Sequence, residues 1–400
     1  IRRHRGCGNH RSPFLQMNYE LMAPCHFGLE TVLKREIYDL GYEIKKVEDG
    51  HVYYEADEDG IVISNLCLRT AERVLLVVGR FTAKTYEDFF QGMRDIQWDK
   101  YMPENAKFWV TKATSVKSKL FSTTDLQRVG KRAMVARMQG VYHLDHFPET
   151  GSDYPVRIFI YKDEVTVTLD TSGDALHKRG YRKETGKAPI SETIAAALIM
   201  LTPWRADRIL ADPFCGSGTI PIEAALIAAN IAPGLYRNFA AEGWDIIDKK
   251  LWSEEKKWLR EAADTNVETQ IYGSDIDPEM IRVANENAAR AGVKKLIHFK
   301  RADAADFRSR DSYGFMITNP PYGERLAEKE ELPELYTKLK NAYRGLDKWS
   351  LYVITAWEDA TKYLGGKPDK NRKIYNGMLK TYFNQYMGPK PPKVKRDGKD

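Results

Sequence analysis

The sequence predicts an α/β chain whose C-terminal half is a mostly parallel sheet closed by an antiparallel hairpin, preceded by smaller α+β segments. Three observations carry this. From about Thr171 to Met387, short apolar runs alternate with helical stretches, the signature of a parallel sheet with crossover helices. A glycine-rich octet, Asp212-Pro213-Phe214-Cys215-Gly216-Ser217-Gly218-Thr219, stands between the first such strand and the next helix. Near the end, Asn376-Gly377 separates two extended runs, a strong hairpin signal.

In chain order, segment one (17–79) opens with a strand at Tyr19–Met22, a helix at Leu29–Asp39 and extended residues at Val52–Glu55. A second helix follows at Asp59–Thr70, with apolar Ile61, Ile63, Leu66 and Leu68. Segment two (80–170) has a strand at Phe108–Thr111. A helix then runs from a Thr124-Asp125 cap to Gln139, with Gly140 as its stop. Val156–Tyr161 and Glu164–Leu169 form a hairpin around Lys162-Asp163. Segment three (171–388) places strands at Arg208–Ala211, Gln270–Ser274, Ile297–Lys300, Phe315–Thr318 and Leu351–Thr355. Lys373–Tyr375 and Leu379–Phe383 close it. The apolar Ile194–Leu201 reads as a buried helix. Residues 1–16 read as a disordered or non-native leader ahead of Met17, and 389–400 as a flexible basic tail.

The chain has 400 residues, with 42% hydrophobic and 30% charged residues, room for two or three soluble domains. No apolar run is long enough to span a bilayer. Four cysteines without C-x-x-C spacing point to neither a zinc site nor a disulfide framework, and to a cytoplasmic protein. The net charge of +6 sits in the tails, with four Arg in residues 1–18 and five Lys/Arg against two Asp in 388–400. The near-neutral body must therefore use local patches for any nucleic acid.

The motifs with chemistry fall at strand ends. Gly216 and Gly218 let backbone approach a ligand. Pro221 stands where a nicotinamide fingerprint needs its third glycine, and no G-x-x-x-x-G-K-[ST] exists, so dinucleotide and Walker-type readings fail. An acid after the second strand would hold ribose hydroxyls. Asp275 is that acid, and Asp277 is the second choice because Asp277-Pro278 can simply cap a helix. Asp275 comes 63 residues after Asp212, so something is inserted, most simply the Trp/Lys/Glu-rich stretch from Ala232 to Thr269. Asp303, after the third strand, can accept from an adenine amino group. After the fourth strand, Asn319-Pro320-Pro321-Tyr322 forms a rigid turn whose carbonyls are free. Alone it is a Pro-rich strand end. Beside the other three strand ends it suits an enzyme that grips a base amino group and stacks on its ring.

This order of motifs resembles class I S-adenosylmethionine-dependent methyltransferases. More narrowly, Leu176–Arg182, Ala188-Pro189-Ile190, Ala232-Pro233-Gly234 and Asn319–Arg325 resemble bacterial THUMP-domain RNA methyltransferases. Within that family the chain is most similar to the large-subunit ribosomal RNA guanine-N2 enzymes and their single-domain relatives. The resemblance implies a ferredoxin-like domain at 17–79, a THUMP RNA-binding domain at 80–170 and a Rossmann-like methyltransferase domain at 171–388. It implies S-adenosyl-L-methionine as cofactor, no metal, and RNA, foremost ribosomal RNA, as partner. The oligomeric state is left open. Cofactor contacts would come from Asp212, Phe214, Gly216, Gly218, Thr219, Asp275, Ile276, Asp303, Ala304 and Asn319. Asn319, Pro320, Pro321 and Tyr322 would act on the acceptor, most simply guanine N2. Lys119, Arg128, Lys131 and Arg132 are candidate RNA contacts, against the plainer reading of a solvated helix face. Adenine N6, transfer-RNA guanine N2 and a non-catalytic RNA-binding module stay as alternatives. Cys215 reads as a packing residue, because the nucleophile of cytosine-C5 enzymes lies in the acceptor motif, which here has no Cys.

Overall fold

The computed structural model describes residues 18–183, 190–323 and 326–392. The leader, Ala188-Pro189, Glu324-Arg325 and most of the basic tail lie outside them. The described chain forms two compact units. One comprises residues up to Cys25, Leu33–His177 and Ala232–Glu261; the other comprises His26–Val32, Lys178–Ile231 and residues from Ala262 onward.

The first unit holds a seven-stranded sheet of β1 (Tyr19–Pro24), β2 (Glu43–Glu48), β3 (His51–Ala56), β4 (Leu75–Thr82), β5 (Lys107–Val116), β6 (Asp153–Tyr161) and β7 (Glu164–Asp170), ordered β2-β3-β1-β4-β7-β6-β5. Only β5 and β6 run parallel. Two strands had no clear signal in the sequence. β2 is a charged edge strand whose burial does not alternate cleanly, as edges that resist aggregation often are. β4 contains Gly79, the last residue of segment one, which interrupts its apolar run. The ladder with β7 shifts register between Val77 and Gly79, and a Cβ there would stand 2.6 Å from Ile96 Cδ1. The glycine marks a bulge with a helix end packed over it.

The helix Thr123–Tyr142 corrects the expected ends. Ser122, not Thr124-Asp125, is the cap, its hydroxyl accepting from the Asp125 N–H at 3.3 Å. Gly140 lies inside the helix, and the left-handed residue that stops it is His143, at φ +54°. Glycine ends a helix only where positive φ is needed.

The inserted stretch buries Phe239, Trp244 and Trp252 in this first unit. Trp244 stacks on Tyr154 at 4.9 Å, and its indole N–H donates to the Asp153 carbonyl at 2.9 Å. Phe239 stacks on Trp252 at 5.1 Å, and the Gly234 N–H donates to the Leu66 carbonyl at 2.9 Å.

The second unit holds β8 (Leu210–Asp212), β9 (Ile271–Asp275), β10 (Ile297–Arg301), β11 (Phe315–Thr318), β12 (Ser350–Thr355), β13 (Lys370–Asn376) and β14 (Leu379–Tyr386). Their order is β10-β9-β8-β11-β12-β14-β13. The first five run parallel and the last two antiparallel. β8 and β11 are fully buried along their length, as central parallel strands are. The closing hairpin turns on Gly377 and Met378, with Asn376 paired to Leu379 and Gly377 at φ +62°. Glycine thus takes the first loop position, the Gly-X form of a two-residue hairpin.

Candidate active site

The chain lays β8, β9 and β10 outward in one direction, then returns to place β11 on the other side of β8. A crevice opens at such a switch point, beyond the carboxyl ends of the strands. Here it is a cleft of about 1100 Å³. Asp212, Phe214, Gly216, Thr219, Asp275, Ile276, Asp303, Ala304, Asn319, Pro320, Pro321 and Tyr322 all line it. Of the residues expected at the cofactor, only Gly218 does not.

The two glycines of the octet do different work. Gly216 sits at φ +50°, and a Cβ added to it would meet no atom within 4 Å. It leaves a cradle on the cleft side that any side chain would fill. Gly218, at φ +86°, starts the helix Thr219–Ala228; a Cβ there would stand 3.0 Å from both Ala284 Cβ and Phe299 Cζ. Its absent side chain serves close packing of the helix on the neighbouring strand and helix.

Asp275 closes the loop. One carboxylate oxygen accepts from the Gly216 N–H and the other from the Asp277 N–H, both at 3.0 Å. Each oxygen keeps a second acceptor direction, which two vicinal hydroxyls can fill. Asp277 instead caps the helix Pro278–Arg290, accepting from the Glu279 N–H at 2.8 Å. Ile276 is 63% exposed at the cleft, an apolar surface suited to the face of a purine. Asp303 holds the short turn Ala304–Asp306 through the Ala305 N–H at 2.8 Å. An open glycine cradle, a partly accessible acid after β9, an exposed apolar residue and a second acid after β10 fit an adenosine with a charged tail.

Asp212 is buried. Its carboxylate accepts from the Thr318 hydroxyl at 2.6 Å and the Phe214 N–H at 3.1 Å. This ties the cofactor strand to the residue immediately before Asn319. Burial pushes its carboxyl up to about 7. Cys215 is also buried, its N–H donating to the Ser274 carbonyl at 2.9 Å. Burial raises its thiol well above the ordinary range, the opposite of an activated nucleophile.

The Asn319–Tyr322 turn is braced by two tyrosines. The Tyr322 hydroxyl donates to Asn319 Oδ1. The Tyr336 hydroxyl donates to the Pro321 carbonyl at 3.3 Å and shares a 2.7 Å bond with Thr355 Oγ1. Burial raises the Tyr322 phenol, which keeps it a donor and orients the Asn319 amide.

Two groups escaped the motif reading. Glu331, Glu334, Leu335 and Lys338 reach the cleft from the helix Leu326–Arg344; their i, i+3, i+4, i+7 spacing is the only sequence signal for them. Arg182, Glu192 and Thr219 form a buried cluster. The Arg182 guanidinium donates to Thr219 Oγ1 at 2.6 Å and to the Ile190 carbonyl at 2.8 Å, with Glu192 at 3.4 Å. It steadies the first residue of the helix behind the glycine loop. Among the described residues, no group of three or more His, Cys, Asp or Glu is placed to hold a metal ion, and no helix is long and apolar enough to cross a membrane.

Of the basic candidates, Lys119 and Arg132 are exposed. Arg128 is exposed and paired with Asp125 at 2.8 Å. The Lys131 ammonium sits 3.8 Å from the Phe108 ring centre and 3.3 Å from Glu149, so its charge is largely spent within the fold. Two rings on the same unit that no motif marked, Phe121 and Tyr161, are exposed at 81% and 51%. The Lys119 N–H bonds to Asp163 Oδ1 at 2.8 Å, which holds the two loops together.

Comparison with known proteins agrees with this geometry. Residues 179–385 match the methyltransferase domain of the RMKL-like family, 20–75 the RlmL ferredoxin-like domain and 83–170 the THUMP domain. The chain is 45% identical to YpsC of Bacillus subtilis, over 94% of this chain and 98% of that protein. It is 32% identical to the ribosomal RNA large subunit methyltransferase K/L of Shewanella frigidimarina, over 92% of this chain but 52% of the relative. The chain thus spans about half the length of the relatives of that name. Among solved structures, a possible methylase from Clostridium difficile 630 superposes with a TM-score of 0.91 at 52% identity, covering 94% of this chain and 100% of the other. SMU.472, complexed with SAH, superposes at 0.89 with 38% identity, covering 94% and 100%. The chain belongs to the RMKL-like family of S-adenosylmethionine-dependent methyltransferases, with an RlmL-type ferredoxin-like domain and a THUMP domain ahead of its Rossmann-like catalytic sheet.

Proposed function

We propose that the protein methylates the exocyclic N2 amino group of a guanine in large-subunit ribosomal RNA, acting in the cytoplasm. The observation that carries this reading is the position of Asn319-Pro320-Pro321-Tyr322, braced by Tyr336, on the wall of a cleft whose other strand ends suit S-adenosylmethionine. The ribosomal acceptor is supported by the name of the K/L relatives, and guanine N2 by the resemblance of the acceptor stretch. The domain division at 17–79, 80–170 and 171–388 is part of the same reading, with 232–261 assigned to the unit it packs within.

When bound, the cofactor supplies a sulfonium-linked methyl group that is already electrophilic. What this chain must do is prepare the amine, whose lone pair is delocalised into the base. Asn319 Oδ1 and the Pro320 carbonyl accept from the amino hydrogens. This draws the nitrogen toward tetrahedral geometry and frees its lone pair, so the gain comes from orientation and electrostatics. Tyr322 presents its ring to a base flipped out of the RNA. Asp212 and Thr318 hold that turn in register with the glycine loop. On the first unit, Lys119, Arg128 and Arg132 contact phosphates, with Lys131 a lesser contributor, and Phe121 and Tyr161 offer rings to unpaired bases.

The test is mass spectrometry of nucleosides from ribosomal and transfer RNA of cells lacking the protein. Loss of N2-methylguanosine from large-subunit RNA is expected. An unchanged profile, or loss of N6-methyladenosine instead, would refute the reading.

A further inference from the structure

A second cavity, of about 490 Å³, adjoins the cofactor cleft and shares Tyr322 and Gly323 with it. Its other walls come from Lys329, from Ala356-Trp357-Glu358-Asp359 just beyond β12, and from Leu379 of the closing hairpin. No motif of the sequence marked it. Its contents are chemically specific. One wall is the aromatic ring of the acceptor turn. Trp357, another wall, is fixed by stacking on Tyr363 at 5.1 Å and by its backbone N–H donating to Thr355 Oγ1 at 3.1 Å. Two carboxylates follow it, and exposed Leu379 and Met378 stand at the hairpin tip.

We propose that this cavity seats the target base and that Glu358 selects guanine by accepting its ring N1–H. The proposal rests on the functional reading above and adds the residue that sets base choice. A base whose amino group is held at Asn319 and Pro320 must project the rest of its Watson–Crick edge past Tyr322, and this cavity shares that side chain. Guanine offers a donor at N1 beside its amino group, whereas adenine offers an acceptor there. A carboxylate bonds the first and repels the second, and sites built to pair one polar edge reject the other strongly. Of the two acids, Asp359 is held by Lys362 at 2.6 Å, while Glu358 has only a looser approach to Lys380, at 3.6 Å. Glu358 is therefore the more available of the two acceptors. Exposed Lys329 places a positive charge at the rim, where a phosphate of the flipped nucleotide would lie.

The test first locates the methylated guanosine in a transcript of large-subunit RNA. It then compares kcat/KM on a matching RNA hairpin carrying guanine or 2-aminopurine at that position. 2-Aminopurine keeps the 2-amino group but has an acceptor at N1. Wild type should favour guanine. Glu358→Gln should lower the guanine value by roughly 3- to 30-fold, the difference between a bond to a charged acceptor and one to the neutral amide oxygen that remains. It should also raise the 2-aminopurine value, because an amide can donate to N1. The side chain is 78% exposed, so folding is not at stake. If Glu358→Gln leaves both values unchanged, or lowers both by the same factor, the assignment fails while N2-methylguanosine still forms. If wild type forms no N2-methylguanosine, the functional reading fails and this assignment falls with it.

Discussion

Replacing each glycine of the Asp212–Thr219 octet with alanine should separate two roles that the sequence shows as one motif. Both residues have positive φ, where a non-glycine residue costs roughly 1–2 kcal/mol. At Gly216, φ +50°, nothing lies within 4 Å of the new Cβ, so backbone strain is the whole stability cost. At Gly218, φ +86°, the new Cβ stands 3.0 Å from Ala284 Cβ and Phe299 Cζ and 3.3 Å from Ala284 Cα. Overpacking adds about 1–3 kcal/mol, for a total of roughly 2–5. A difference of 1 kcal/mol moves Tm by about 2–4 °C in a domain of 150–250 residues. Gly218→Ala should therefore melt several degrees below Gly216→Ala. Binding should rank the other way: Gly216→Ala fills the open cradle and should weaken S-adenosylhomocysteine by calorimetry far more than Gly218→Ala does. Equal melting temperatures, or a Gly216→Ala variant that binds normally, would refute the division of roles.

Four further outcomes are expected. Asn319→Ala should leave cofactor affinity within a few-fold while methyl transfer falls roughly 10²–10³-fold, as for loss of an oriented polar contact at the reacting atom; unchanged turnover would remove Asn319 from the acceptor role. Asp275→Ala should weaken cofactor binding roughly 10²-fold, because two charge-assisted bonds are lost, and calorimetry would show it. Asp212, whose carboxyl is raised to about 7 from 3.8 by burial, keeps its proton in the native state where the unfolded chain has released it. Stability therefore falls as pH rises between about 4 and 7, by a total on the order of 4 kcal/mol; urea midpoints of Asp212→Asn should lack that slope, and parallel curves would contradict it. Cys215→Ser should retain activity, and complete loss would show that the thiol does chemistry.

The second unit was the more legible part of the fold. Its central strands β8, β11 and β12 are short, apolar and buried along their length, because the middle of a parallel sheet covered on both faces must be built that way. The octet, Asp275, Asp303 and the Asn319 turn were legible because each directly follows a strand, where ligands bind in such sheets. β2 and β4 were not. A charged edge strand and a strand kinked by Gly79 lack the alternation that signals burial. Gly140 misled for a related reason: glycine marks a helix end only where backbone geometry demands it, and here His143 met that demand.

By itself the sequence determined which residue types stand at which strand ends, and hence the cofactor class. Those choices are local, set by the few residues between a strand and the next helix. Tertiary structure decided what depends on distant neighbours. It made Gly218 a packing residue and Gly216 an opening, and turned Asp212 into a buried tie to Thr318, 106 residues away. It spent the charge of Lys131 on Phe108 and Glu149. It set Glu358 in a cavity walled by Tyr322. Contacts between residues far apart in the chain follow from which strands lie side by side, and no short run of sequence encodes that.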